Sequence, residues 1–275
     1  MTPQNTVVAA ENPGLASAML EKALAPTAPS DAPQPPPIPP SLPDTSVTLP
    51  AGLVDIDGLV EKSAEVRELN GDDEEAIARA KGSLPKILET ILSRGVVSIG
   101  GKPTDGAILE SLLAGDRDAL IVAIRRATFG DKIEFDVACP ACKAEQHVDL
   151  SCQDDIPVTL LDADDRVFEV TLRSGKFARV GLPDGASQKA IASSDDKSEA
   201  RLRTILLTHC VQEIDGFPVV REHEVKVLSM RDRDLLIEEI NKRNPGPQLQ
   251  EVSRSCVECS EKISLPLSLA DLFRL

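Results

Sequence analysis

The sequence predicts an α+β fold made of one unit used twice, each unit a set of helices followed by a small β-hairpin. Three observations lead to it. An element opening on Asp-Arg-Asp occurs as "GDRDALIVAI" (Gly115–Ile124) and again as "RDRDLLIEEI" (Arg231–Ile240), so that Asp116, Arg117, Asp118, Leu120, Ile121 and Ile124 lie over Asp232, Arg233, Asp234, Leu236, Ile237 and Ile240. Each copy then reaches a Cys-x-x-Cys, formed by Cys139 and Cys142 in the first and by Cys256 and Cys259 in the second. Around both pairs apolar and polar residues alternate with the period of a strand, whereas the segments before them carry apolar residues at helical spacing.

The register extends in both directions. Upstream, "ETILSRGVVSIGG" (Glu89–Gly101) lies over "RTILLTHCVQEIDG" (Arg203–Gly216), and "EEAIA" (Glu74–Ala78) over "QKAIA" (Gln188–Ala192). Downstream, "VDLSCQD" (Val148–Asp154) lies over "LPLSLAD" (Leu265–Asp271). An ordered series of matches with small gaps implies a tandem duplication, with a first α+β repeat at 51–160 and a second at 161–275.

Each repeat follows one plan. A short alternating stretch, "SAEVRELN" or "GKFARVGL", predicts a strand. A charge-rich helix comes next. The second helix is "SLPKILETILSR", with Ser83 as N-cap, Pro85 in the first turn, Ile87, Leu88, Ile91 and Leu92 on one face, and Gly95 to stop it. The third starts at the Asp-Arg-Asp element, where acidic residues suit the positive end of the helix dipole. It ends near Gly130 in the first repeat and before "NPGP" (Asn244–Pro247) in the second. The hairpin with its Cys-x-x-Cys closes the repeat.

Residues 1–50 differ from the rest. They hold twelve of the chain's 21 prolines, many in "APTAPSDAPQPPPIPPSLPD". Proline removes the backbone donors a fold needs, so this segment is expected to be a flexible, polyproline-like arm, disordered on its own. A short helix at Leu15–Leu24 is compatible with it and would suit a docking peptide.

Composition narrows the partners. The chain has 275 residues and a hydrophobic fraction of 41%, but no Trp, no Tyr and only six Phe, so its core must be aliphatic. So few aromatic faces argue against stacking of nucleic-acid bases. A formal charge of −15 argues further against nucleic acid and anionic membranes, both of which need a basic surface. The start of the chain lacks a basic region followed by an apolar core, so no secretory signal is expected, and no apolar run approaches a membrane span. In a chain that is not exported, paired cysteines favour metal over disulfides.

The repeat sorts the six cysteines. Cys152 lies over Leu269 and Cys210 over Val96, so both are expected in the core, where a free cysteine behaves as a small hydrophobe. The other four, Cys139, Cys142, Cys256 and Cys259, form a zinc-ribbon-like ligand set. A Cys-x-x-Cys turn aims two sulfurs at one ion, and two such turns complete a tetrahedron around structural Zn²⁺. If the copies pack about a pseudo-twofold axis, one ion would sit between the hairpins and clamp the halves. Two alternatives stand beside this: a redox dithiol, which lacks its usual helix N-terminus and Trp-Cys-Gly-Pro context here, and two disulfides formed in oxidising medium.

Other chemistry-bearing residues carry less. His147, His209 and His223 lie over or near unlike residues, with His223 expected on a surface strand or turn and His147 at most a fifth ligand. "GGKPTDG" (Gly100–Gly106) departs from a phosphate loop at Val96 and Pro103 and reads as a turn. Asp72–Asp73 and Asp164–Asp165 read as solvated loops. With no nucleophile–base pair and no open coordination position on a four-cysteine ion, the chain is expected not to be an enzyme.

The run "LLAGDRDALIVAIRRATFGDKIEFDVACPACKAEQHVDLS" (Leu112–Ser151) resembles the T4-like phage baseplate protein family, which includes a baseplate hub subunit and a hub assembly chaperone. The shared pattern is the Asp-Arg-Asp helix start, an Arg leading into Thr-Phe-Gly-Asp, an alternating strand, Cys-Pro-x-Cys and an apolar–acidic strand; upstream, "LPKILETILSRGV" also fits. The second repeat is a degenerate echo, in which "RATFGD" becomes "NKRNPGP" and Pro140 becomes Val257. The resemblance implies a structural or assembly role in the baseplate of a contractile tail, in the virion and during assembly in the host cytoplasm. It implies other baseplate and tail proteins as partners in a multi-subunit assembly, and no catalytic residues. A dedicated chaperone absent from the virion and a zinc-ribbon nucleic-acid binder are the other readings.

Overall fold

The computed structural model of the chain describes residues 45–55, 57–80, 83–265 and 267–273. The expected helix at Leu15–Leu24 and nearly all of the expected arm lie outside the described residues. Residues 46–50 lie in a strand.

The first half runs β1 (Ser46–Val54), β2 (Val60–Val66), α1 (Gly71–Arg79), α2 (Leu84–Gly95), β3 (Val96–Ile99), β4 (Lys102–Pro103), α3 (Gly106–Ser111), α4 (Ala114–Phe129), β5 (Lys132–Ala138) and β6 (Glu145–Ser151). After the two-residue β7 (Val158–Thr159) the order recurs: β8 (Val167–Thr171), β9 (Phe177–Gly181), α5 (Gly185–Ser193), α6 (Glu199–Cys210), β10 (Val211–Ile214), β11 (Phe217–Pro218), α7 (Glu222–Lys226) and α8 (Met230–Arg243). Next come β12 (Gly246–Pro247), a second hairpin of β13 (Ser253–Ser255) and β14 (Lys262–Ser264), and α9 (Leu269–Phe273). Each half holds an antiparallel four-stranded sheet, in the order β1-β2-β3-β4 and β8-β9-β10-β11. The sequence plan of helices with one ribbon is therefore incomplete: four strands per half form a sheet before the hairpin.

The local signals act as chemistry predicts, with three exceptions. Ser83 is the N-cap residue of α2 but makes no side-chain cap bond; Pro85 in the first turn and the buried Ile87, Ile91 and Leu92 define the helix. Gly95 is the last residue of α2, and a Cβ there would lie 2.5 Å from Ile124, so it marks a close helix approach. Asp73 is not in a solvated loop. It is the buried third residue of α1, completes a capping box with Asn70, and pairs with Arg67 at 2.7 Å, which holds its carboxyl below the usual range. His223 lies on the short helix α7, not on a strand or turn.

The Asp-Arg-Asp elements open α4 and α8, and their first aspartates do more than face a helix dipole. Asp116 is fully buried and accepts from the amides of Ala51 at 2.7 Å and Gly52 at 3.1 Å, where β1 bulges. Asp232 is likewise buried and accepts from the Arg173 amide at 2.7 Å, just beyond β8. In each half one carboxylate thus ties the third long helix to the first strand pair. Asp116→Ala orphans two buried amides, each worth about 1–3 kcal/mol. Urea unfolding is expected to show at least the lower figure, with no change in a control at exposed Asp72.

The next residue links helices. Arg117 donates to Glu89 at 2.6 Å, to the Leu109 carbonyl at 2.7 Å and to Gln188 at 2.8 Å, which joins α4 to α2 and to α5 of the second half. Its counterpart Arg233 donates to Thr204 on α6 at 2.7 Å.

The first half closes its core with the end of the chain. Leu49, Ile91, Leu120 and Ile124 of the first half form one apolar cluster with Ile133, Val148 and Leu150 of its hairpin, and with Val252, Ile263, Leu265, Leu267 and Leu272 from the end of the chain. The remaining second-half elements build a separate cluster around Val180, Leu207, Leu236 and Ile240. One cluster thus takes residues from both sides of 160/161, and the other lies wholly after it. The β7–β12 pair, Val158↔Pro247 and Thr159↔Gly246, stitches the halves beside this shared core.

Candidate metal centre

Each Cys-x-x-Cys sits at the tip of a hairpin whose strands are in simple antiparallel register, from Lys132↔Ser151 to Ala138↔Glu145 in the first and from Ser253↔Ser264 to Ser255↔Lys262 in the second. The two tips are built alike. Cys139 N donates to the Ala144 carbonyl at 2.9 Å, and Lys143 N to the Cys139 carbonyl at 3.0 Å. The matching bonds run from Cys256 N to Glu261 at 2.8 Å and from Ser260 N to Cys256 at 2.9 Å. The residue after the second cysteine is left-handed in both, with φ 63° at Lys143 and 60° at Ser260. That conformation is uncommon outside glycine, and the same pair of tips adopts it twice to turn both sulfurs inward.

Several contacts bring the hairpins together. Arg125, buried on α4, donates to the carbonyls of Gly130, Lys132 and Leu272, fixing the root of β5 and the final helix α9. Phe129 meets Phe273 edge-on with ring centroids 6.1 Å apart. Asp155, just past β6, forms an ion pair with Arg254 on β13.

The result gathers all four sequence-predicted cysteines. Their sulfurs lie within 4.8 Å of one another, with Cys139 to Cys259 at 3.6 Å and Cys142 to Cys256 at 3.7 Å. Four sulfurs about 2.3 Å from a central ion stand roughly 3.8 Å apart along the edges of a tetrahedron. A disulfide needs about 2.05 Å, and all six cysteines are free thiols. The short contacts cross between hairpins. Exchanging the two hairpins turns the Cys139–Cys259 contact into the Cys256–Cys142 contact, the pairing a local twofold gives.

Thiol acidity is divided unevenly. Cys256 is lowered to about 6, by the Cys259 amide first, against burial, and further by the Glu258 amide, Gln146 and Cys142. Cys259 is pushed up to about 12; the Glu261 amide pulls the other way, but Cys142, burial, Cys139 and Cys256 together outweigh it. Four ionised sulfurs at these spacings repel one another unless a cation lies between them. The donor set therefore fits a thiophilic divalent ion, and Cys139, Cys142, Cys256 and Cys259 are the residues that can hold it. Cys139 and Cys256 are buried, whereas Cys142 and Cys259 are exposed.

Cys152 and Cys210 stand apart from this cluster and are buried in the apolar core; burial raises both thiols, that of Cys210 to about 12. His147 is no fifth ligand. It lies exposed on the outer face of the hairpin between Asp136 at 2.9 Å and Asp149 at 3.3 Å, with Asp136 raising its pKa. The sequence reading missed Gln146, whose amide reaches Cys256 of the other hairpin at 3.4 Å. Nothing local in the sequence marks it, because the contact spans the two halves.

A family model described as T4 bacteriophage base plate protein matches residues 59–216, more than half of the chain. The chain belongs to that family. The match includes Cys139 and Cys142 but ends before Cys256 and Cys259, so the four-sulfur arrangement is information the structure adds. No curated protein and no solved structure matches the chain. Among the described residues, no helix is long and apolar enough to cross a membrane.

Proposed function

We propose that this baseplate family member is a non-enzymatic structural component, in the hub or wedge of a contractile tail, working through contacts with other baseplate and tail proteins. Membership of the baseplate family is the observation that carries this reading. Within the chain, a structural Zn²⁺ held by Cys139, Cys142, Cys256 and Cys259 joins the two halves. Four protein sulfurs fill a tetrahedral ion, which leaves no position for a reacting water. The recurring element order and the paired Asp116 and Asp232 contacts support descent of the two halves from one duplicated unit. The protein's place is then the tail baseplate of the virion, reached after assembly in the host cytoplasm.

The test is mass spectrometry of purified virions. The chain is expected in the particle at a fixed ratio to other baseplate proteins. Its absence from virions, with presence in assembly intermediates, would make it an assembly chaperone. A nucleic-acid-binding zinc ribbon is disfavoured by the charge of −15; a salt-sensitive complex with DNA or RNA at low ionic strength would revive it.

A further inference from the structure

The four sulfurs have the pairing of a local twofold, but their surroundings do not. Gln146 on β6 reaches across to the second hairpin. Its Nε2 donates to Cys256 Sγ at 3.4 Å, and its Oε1 accepts from the Val257 amide at 3.4 Å. The position matching Gln146 in the second repeat is Ile263, buried in the shared apolar core, whose side chain has no N–H to offer Cys139. Cys256 also receives the backbone amides of Cys259 and Glu258. One buried sulfur thus carries a side-chain donor contributed by the opposite half.

Such a donor acts on a bound ion in two ways. An N–H aimed at a thiolate stabilises its charge and fixes the direction of its lone pairs. The same amide grips the backbone one residue beyond Cys256, so the tip cannot swing away without breaking two bonds at once. Exposure sets where this matters. A chelator reaches the exposed Cys142 and Cys259 first, which leaves the ion on Cys139 and Cys256. Whether the ion is recaptured or lost then depends on Cys256 staying aimed at it.

We propose that Gln146 is a positioning residue of the metal centre: it holds Cys256 in ligating position from the opposite half of the chain and slows loss of the ion. This rests on the metal reading given above. The experiment uses full-length protein loaded with Co²⁺ or with Zn²⁺. Gln146→Met keeps the length of the side chain and removes both hydrogen bonds. Gln146→Glu keeps an acceptor for Val257 and removes the donor to sulfur. Both variants are expected to bind one ion per chain and to release Zn²⁺ to a chelator about tenfold faster than the parent protein, the lower end of the usual effect of such supporting groups. In the Co²⁺ form, the sulfur-to-metal charge-transfer band is expected to move to longer wavelength, because the sulfur lone pairs lose the N–H that stabilised them. Band position reports only the folded, loaded fraction, so a loss of folding changes its height and not its wavelength. Parent-like release and an unmoved band in both variants would overturn the role of Gln146 and leave the metal centre standing. Parent protein that takes up no Co²⁺ would overturn both.

Discussion

Cys259→Ser is expected to release the metal and to lower the unfolding midpoint of both halves in one step, while Cys152→Ala keeps the full metal content. The physics is mass action: an ion that binds only the folded state stabilises it by an amount that grows with the logarithm of free-ion concentration over Kd. Apparent binding energies of about 10–16 kcal/mol in small zinc peptides set an upper bound on what such a site contributes. Here the ligands come from hairpins that pack into one core with Ile133, Leu150, Ile263 and Leu265, so loss of one ligand loosens both halves. Cys152 lies in the same core but away from the sulfurs, and its truncation costs only a small cavity, on the order of 1 kcal/mol. A chelator added to the parent protein should reproduce the Cys259→Ser melting curve. If both variants retain full metal, the sorting of the cysteines is wrong.

Gly115→Ala is expected to cost about 3 kcal/mol or more, the upper end of ordinary overpacking. A Cβ at Gly115 would sit 1.8 Å from the Pro245 carbonyl oxygen, and both sides of that contact are backbone, which cannot step aside as a flexible side chain can. The partner is as constrained. Gly246 has φ 107°, and a Cβ there would meet Gly115 Cα at 2.6 Å. The start of α4 thus crosses β12 at a glycine–glycine contact that joins the halves. Urea unfolding checks this, with Arg231→Ala as control, because Arg231 lies over Gly115 in the repeat and is exposed. A Gly115→Ala variant within about 0.5 kcal/mol of the parent would mean that α4 and β12 part easily.

The likeness of the two halves was legible at their most constrained parts. The Asp-Arg-Asp starts are visible in sequence, and Asp116 and Asp232 prove to hold the first strand pair of each half. The helices α2, α4 and α8 were legible from their apolar spacing. Strand β1 was not, because Pro50 and Gly52 look like loop residues beside a proline-rich tail. They sit instead where the register of β1 shifts, with Gly52 at φ 87° and the neighbouring Leu49 fully buried. The two-residue strands β4 and β11 and the five-residue α7 are too short for any period to show. Asp73 misled for a related reason: its partner Arg67 lies before the helix, and only the capping box reveals the burial.

At the site, sequence picked out the four cysteines that cluster but not how they pair or what surrounds them. That the close contacts run between hairpins, and that Gln146 reaches Cys256, follow from the packing of chain segments more than a hundred residues apart. The fusion of the hairpins into a first-half core was equally hidden, since Ile263 and Leu265 have the same alternation whether they cover their own helices or another's.

We propose that one ion is shared by the two hairpins. Elemental analysis combined with metal-edge X-ray absorption on the full-length protein tests it most directly. One zinc per chain is expected, with four sulfur neighbours at about 2.3 Å and no nitrogen or oxygen ligand. Metal-free protein, or an ion with fewer than four sulfurs around it, would contradict it.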